Sequence, residues 1–200
     1  MDDTPMSQGS YRSRTEIPSL VQRATGLTVR HEFDLSCIAE VGRLLSVLAS
    51  YIQGGVVGEI GTGTGVGAAW MLSHLAPSTR FVTVEADAAR ATAARDLFKK
   101  YPNAEVIHGD WRAILSRSPF DLLFVDVGEA KRDEPQAVVE ALRLGGMAVM
   151  DDFTPDEYWP EDWRGKPDPV RAFWLNDVRL NAVEVRTTPL TMAILATRIG

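Results

Sequence analysis

The chain has 200 residues, 45% hydrophobic and 24% charged, which suits one globular domain with some extra chain and excludes wholesale disorder. A formal net charge of −6 disfavours nucleic acid and acidic membrane surfaces as partners, because both select basic faces. The single cysteine, Cys37, excludes an internal disulfide and predicts a reducing, cytoplasmic setting, and no apolar run approaches the ~18 residues of a membrane span.

Residues 1–16 are polar, lack the apolar core of a secretory leader, and are expected to fray. A short helix is predicted over 17–24, with Pro18 in its first turn, so 1–34 reads as an N-terminal extension. The domain proper is expected over 35–200. Its first helix, 35–52, carries Ile38, Val41, Leu44, Leu45 and Leu48 at helical spacing and stops at Gln53-Gly54-Gly55. Strand and helix then alternate: strand 56–60, helix 67–75, strand 81–85, helix 88–100, strand 104–108, a short helix 111–115, strand 120–127, helix 135–144 and strand 147–150. Such alternation builds βαβ units and a parallel sheet. Two last strands, 182–185 and 191–196, are separated by a gap too short for a helical crossover and must form an antiparallel hairpin. The fold class is therefore α/β: a seven-stranded, mostly parallel sheet with helices on both faces and a C-terminal antiparallel hairpin.

Glu59-Ile60-Gly61-Thr62-Gly63-Thr64-Gly65 falls at a strand-to-helix junction, where glycines let the backbone approach a ligand and offer N–H groups. Glu85 ends the second strand, about 20 residues on, where an acid accepts hydrogen bonds from ribose hydroxyls. Asp87 is the better cap for the next helix. The spacing Gly63-x-Gly65-x-x-Ala68 also fits the weak dinucleotide pattern, but the turn starts at Gly61, from which the third position is Val66.

These motifs, with Gly109-Asp110-Trp111, Phe120-Asp121-Leu122-Leu123-Phe124-Val125-Asp126 and Leu144-Gly145-Gly146, resemble the class I S-adenosylmethionine-dependent methyltransferases, whose sheet is Rossmann-like. The resemblance runs from about residue 35 to the C-terminus. It implies that Glu59, Gly61, Thr62, Gly63 and Gly65 lie against the methionine and ribose parts of S-adenosylmethionine. It implies further that Glu85 and Ala86 meet the ribose, Asp110 the adenine amino group, and Asp126 the methionine amine. Trp111 would stack beside the adenine or pack in the core.

Asp126 ends the fourth strand and Asp151-Asp152 the fifth, so three carboxylates should converge beyond the strand ends. Crowded carboxylates repel one another unless a cation or a donor offsets them; the cluster is either a metal site, for which hard oxygen ligands favour Mg²⁺, Mn²⁺ or Ca²⁺ over zinc, or an ordinary loop cluster without metal. The pattern resembles the catechol and caffeoyl-CoA type O-methyltransferases, where such residues hold a divalent metal that chelates two neighbouring acceptor oxygens. The tail, Asp168-Pro169-Val170-Arg171-Ala172-Phe173, then Asn181 to Val185 and Leu190 to Arg198, is similar to bacterial members. One departure concerns the base. Relatives carry a lysine three residues after the strand-four Asp; here that place holds Glu129, and the nearest lysine is Lys131. Asp126, Glu129 and Lys131 are thus the candidate catalytic residues.

Other side chains have two readings each. Tyr158, Trp159, Trp163, Phe173 and Trp174 form an aromatic lid over a flat acceptor, or core. His31 could reach the site; Cys37 reads as a small buried hydrophobe. Arg90, Arg95, Asp96, Lys99 and Lys100 read as a solvated helix face. The expected activity is methyl transfer to a small hydroxylated acceptor, and the amphipathic N-terminal helices offer a homodimer face. The alternatives are a metal-independent methyltransferase on another acceptor, an NAD(P)-dependent oxidoreductase and a non-catalytic nucleotide-binding module. The hairpin argues against the oxidoreductase.

Overall fold

The computed structural model describes residues 16–200, so the fraying expected of 1–16 lies, apart from Glu16, outside the described residues. Helix α1 spans Ser19–Arg30 and α2 Ala39–Ser50. The alternating run follows as β1 Val56–Ile60, α3 Val66–Leu72, β2 Arg80–Glu85, α4 Ala88–Phe98 and β3 Ala104–His108. A 3₁₀ segment, Trp111–Arg117, leads to β4 Phe120–Val125, then α5 Gly128–Arg132, α6 Pro135–Ala141 and β5 Leu142–Phe153. Helix α7 Pro169–Asn176 precedes the hairpin of β6 Leu180–Arg186 and β7 Met192–Arg198.

The seven strands run in the order β3-β2-β1-β4-β5-β7-β6. The first five are mutually parallel, and β7 pairs antiparallel with both β5 and β6. This is the sheet the sequence predicts, and the terminal hairpin removes the topological basis for an oxidoreductase. Strand side chains alternate between two cores: Leu122 and Phe124 face the side packed by α1–α4, Leu123 and Val125 the side of α6 and α7. With both faces covered, β1 and β4 are apolar runs without polar alternation. The chain order reverses between β1 and β4, which opens a crevice at their carboxyl ends.

Three boundaries differ from the periodicity. Helix α1 continues past Ala24 to Arg30, because Leu27 still reaches the core and the exposed Gly26 does not stop it. Helix α2 starts at Ala39 rather than Leu35, leaving residues 33–38 extended over the carboxyl end of β1. Strand β5 begins at Leu142 rather than Met147: Leu142 pairs with Phe120, and this sheet contact overrides the helical spacing that runs to Leu144. Asp87 caps α4 as expected, accepting from the Arg90 N–H at 2.8 Å.

Candidate active site

The glycine-rich turn runs from β1 into α3 with φ of 97°, 54° and 91° at Gly61, Gly63 and Gly65, a left-handed path that other residues adopt only under strain. The N–H groups of Gly61 and Thr62 both donate to the Val84 carbonyl at 3.1 Å, pinning the turn to β2. Beneath it, the Thr62 and Thr83 hydroxyls meet at 2.5 Å, and Thr83 donates to the Glu59 carboxylate at 2.7 Å. Glu59 is 1% exposed, and burial holds its carboxyl well above the usual range. The structure therefore places Glu59 and the Thr62 side chain under the turn as its support. Thr28 on α1 bonds the Thr64 hydroxyl at 2.9 Å and ties the N-terminal helix to the same turn.

Glu85, at the end of β2, faces the turn. Its carboxylate accepts from the N–H groups of Gly63 at 2.8 Å and Asp87 at 2.9 Å, and from Arg90 at 2.9 Å. Arg90 thus does not belong to the solvated helix face: its guanidinium lies 4.8 Å from the centroid of the Phe33 ring. Phe33 in turn packs on Gly63, where an added Cβ would come within 2.7 Å of the ring. A sequence reading that places residues 35–38 in a helix and starts the domain at 35 misses this cover, which only the path of 33–38 outside a helix creates.

These elements enclose a cavity of about 650 Å³ lined by Phe33–Ile38, Glu59, Gly61, Thr62, Gly63, Glu85, Ala86, Asp110, Trp111 and Glu129, among others. Asp110 stands at its edge, exposed, capping the 3₁₀ segment through the Arg112 N–H and paired with the Arg112 guanidinium. Trp111 is both wall and core: it is 6% exposed, packs in the second core, lines the cavity, and leaves its indole N–H unpaired. Cys37 is a wall residue, partly buried and packed against the first core; burial, then the charges of Asp151 and Asp126, push its thiol up. His31 ends α1 exposed and is not part of this wall.

At the inner end stand Asp126, Asp151 and Asp152, with one oxygen of each within 4.8 Å of the others. Sequence alone predicts their convergence; a bulge achieves it. Between the pairs Met150↔Ile194 and Phe153↔Met192, β5 carries two residues opposite one, and Asp152 takes φ 65°. This re-aims both carboxylates of one dipeptide toward Asp126. Burial and then Asp151 push the Asp126 carboxyl up to about 8, and burial and then Asp152 push Asp151 up to about 6. The Asp151 Oδ1 atom is buried with no hydrogen-bond partner. Three hard oxygen donors and an orphaned buried one fit a divalent cation.

Lys131 stands beside the aspartate cluster. It lies on α5, a helix the sequence reading leaves unassigned, with Nζ 3.9 Å from Asp151, 3.8 Å from Asp152 and donating to the Asp151 carbonyl at 3.2 Å. The fully buried Trp174 fixes it by donating to the Lys131 carbonyl at 3.1 Å. Glu129, on the same helix, points to the exposed rim of the first cavity.

The three aspartates also line a second, outer cavity of about 820 Å³, whose wall includes Tyr158, Trp159, Trp163, Lys131 and Arg171. The aromatic residues therefore divide: Tyr158, Trp159 and Trp163 form a rim, while Trp174 is core with Phe173 set edge-on at 5.2 Å. Arg171 fastens the rim. Its side chain, 10% exposed, pairs with Asp156 at 2.5 Å, Glu184 at 3.3 Å and Asp168 at 3.5 Å, binds the Thr154 carbonyl, and lies 5.2 Å from the Trp159 ring. Arg171→Met strips these partners of their cation and is expected to cost about 3 kcal/mol in chemical denaturation. It should also raise the acceptor KM more than it weakens cofactor affinity. Stability equal to that of the parent would show the network to be ornamental.

Residues 59–153 match a family model described as a methyltransferase domain. A protein of Mycobacterium ulcerans provisionally named an O-methyltransferase is 33% identical over 72% of this chain and 66% of its own length, so the match spans a little under two thirds of that relative. Among solved structures, the O-methyltransferase TomG from Streptomyces achromogenes, involved in tomaymycin synthesis and solved with S-adenosylmethionine, superposes with a TM-score of 0.76 at 23% identity, covering 94% of this chain and 92% of that one. The O-methyltransferase from Bacillus cereus, solved with S-adenosylhomocysteine, gives a TM-score of 0.76 at 19% identity, covering 92% and 93%. The fold is thus shared with these O-methyltransferases over nearly the whole chain, and the methyltransferase-domain match over 59–153 falls on the turn, the β2 acid and the three aspartates.

Proposed function

We propose that the chain transfers a methyl group from S-adenosylmethionine to a hydroxyl of a small, flat, catechol-like acceptor, with Mg²⁺, Mn²⁺ or Ca²⁺ held by Asp126, Asp151 and Asp152. The observation that carries this reading is the shared wall: the three aspartates line both cavities, so whatever fills the first meets whatever fills the second beside them. When bound, S-adenosylmethionine supplies a sulfonium methyl open to in-line attack, and the cation supplies acidification of the acceptor hydroxyl. Glu85 and the turn amides orient the ribose end, with Ala86, Asp110 and Trp111 around the base. Asp126 faces the methionine amine. In its neutral form Lys131 would receive the hydroxyl proton at Nζ, with Trp174 holding its backbone in place. Phe33 closes over the turn and excludes water. Much of the rate then comes from position and electrostatics. Calorimetry with S-adenosylhomocysteine, with and without Mg²⁺ and catechol, tests the reading: binding of catechol only when the other two are present is expected.

Lys131 supports a second reading. Its ammonium stands 3.8–3.9 Å from two of the carboxylates and could serve as a resident cation without metal. Turnover that survives EDTA but not Lys131→Met would favour it. No described helix is long and apolar enough to cross a membrane. We place the chain in the cytoplasm on its cysteine usage, as a homodimer through α1 and α2, which sedimentation tests.

The metal reading carries a pH signature. Burial, then the neighbouring aspartates, push the Asp126 and Asp151 carboxyls above the usual 3.8, so the folded chain holds their protons more tightly than the unfolded one. Their contribution to stability is complete below the usual carboxylate range and is lost as pH rises through the raised range of the pair. A bound cation selects the ionised form and acts in the opposite sense. Mg²⁺ should therefore raise the melting temperature more at pH 8 than at pH 6. A shift that is independent of pH would count against these carboxylates as its ligands.

A further inference from the structure

The outer cavity holds four cations, and two have no acidic partner among the described residues. Lys131 is engaged by Asp151 and Asp152, and Arg171 by Asp156, Asp168 and Glu184. Arg132 and Lys166 line the same cavity and enter no ion pair. The Arg132 guanidinium folds back over Gly128, where an added Cβ would fall 2.6 Å from Nη1, so the missing side chain lets the cation lie on the backbone two residues beyond Asp126. The cavity is thus polarised: a carboxylate cluster at its inner end, free cations on its wall, and Tyr158, Trp159 and Trp163 at the rim.

We infer that the acceptor is a hydroxylated aromatic acid, whose ring lies against the aromatic rim and whose carboxylate, remote from the reacting hydroxyl, is bound by Arg132 and Lys166. This rests on the proposed assignment of the outer cavity to the acceptor. The charge pattern also sets orientation. A carboxylate turned inward would compete with the two neighbouring hydroxyl oxygens for the cation held by Asp126, Asp151 and Asp152, whereas turned outward it meets a planar guanidinium suited to bidentate pairing and a lysine point charge. Attraction at the outer end therefore favours entry of the hydroxyl end into the methyl-transfer site.

The test uses the full chain with S-adenosylmethionine, Mg²⁺ and three acceptors: 3,4-dihydroxybenzoate, its methyl ester, and catechol. The acid is expected to exceed the ester in kcat/KM by about tenfold or more, the scale of one charge-assisted contact. The advantage should shrink as ionic strength rises, since both cations sit near solvent. The double substitution Arg132→Gln, Lys166→Gln should reduce the value for the acid about tenfold further than that for the ester. Equal turnover of acid and ester by the parent chain overturns the inference and leaves catechol-type methylation standing. An acid preference that the double substitution does not diminish overturns the assignment to these two residues. If none of the three acceptors is methylated while S-adenosylhomocysteine binds, the acceptor reading itself fails and takes this inference with it.

Discussion

Asp151→Asn is expected to lower catechol turnover about 100-fold or more, equivalent to roughly 2.7 kcal/mol of transition-state stabilisation, while S-adenosylhomocysteine affinity stays within about threefold. Asp151 is 6% exposed, and its Oδ1 has no hydrogen-bond partner among the described residues and only the Lys131 ammonium, 3.9 Å away, facing it, so the buried charge is suited to a cation or an acceptor. The substitution preserves shape, removes the charge, and offers the cation an amide in place of a carboxylate. In the proposed reading the cofactor rests mainly on the turn and β2. Asp126→Asn should differ by harming both readouts, because in that reading the Asp126 carboxylate also faces the methionine amine. Parallel assays in Mg²⁺ and EDTA separate the causes. Turnover of the true acceptor that ignores both EDTA and Asp151→Asn would sink the metal reading, and Lys131, then Glu129, would be examined next as acid–base groups.

Glu85→Ala should weaken S-adenosylhomocysteine binding at least tenfold by calorimetry, since two charge-assisted ribose contacts of about 1.5–3 kcal/mol each are lost. The structure adds a second reason. Glu85 tethers the Gly63 N–H and is the carboxylate paired with Arg90, so its removal loosens the turn and frees the guanidinium packed on Phe33. Arg90→Gln distinguishes these contributions, because it releases Phe33 but keeps the ribose acceptors; its loss should be the smaller. Undiminished affinity in a folded Glu85→Ala chain, or tight NAD binding by the parent, would falsify the cofactor assignment.

Much of the cofactor half was legible from the residues. Strands β1–β4 are short apolar runs bounded by glycine, proline or acidic residues, and such runs have few alternatives to a buried parallel sheet. The gap of 186–190 cannot hold a crossover helix, so the hairpin followed from chain length. Glycines at Gly61, Gly63 and Gly65 announced a left-handed turn, and the acid at the end of β2 announced its partner. Those signals are local: each depends on backbone conformation or on neighbours within a few residues.

The acceptor half was less legible. That three aspartates meet was predictable from strand order, but the bulge that turns Asp151 and Asp152 together depends on the pairing of β5 with β7, some forty residues away in sequence. Glu129 and Lys131 are both candidates from the sequence, since spacing along the chain does not reveal that α5 rotates Lys131 inward and Glu129 to the rim. Arg90 reads as surface charge and Arg171 has no separate reading from the sequence; only packing shows them closing networks around Phe33 and Trp159. The sequence by itself determined the sheet, the turn and the identity of the acids, because backbone preference and burial pattern act over short range. Tertiary structure decided which charges face one another, because that depends on contacts between segments that the chain keeps far apart.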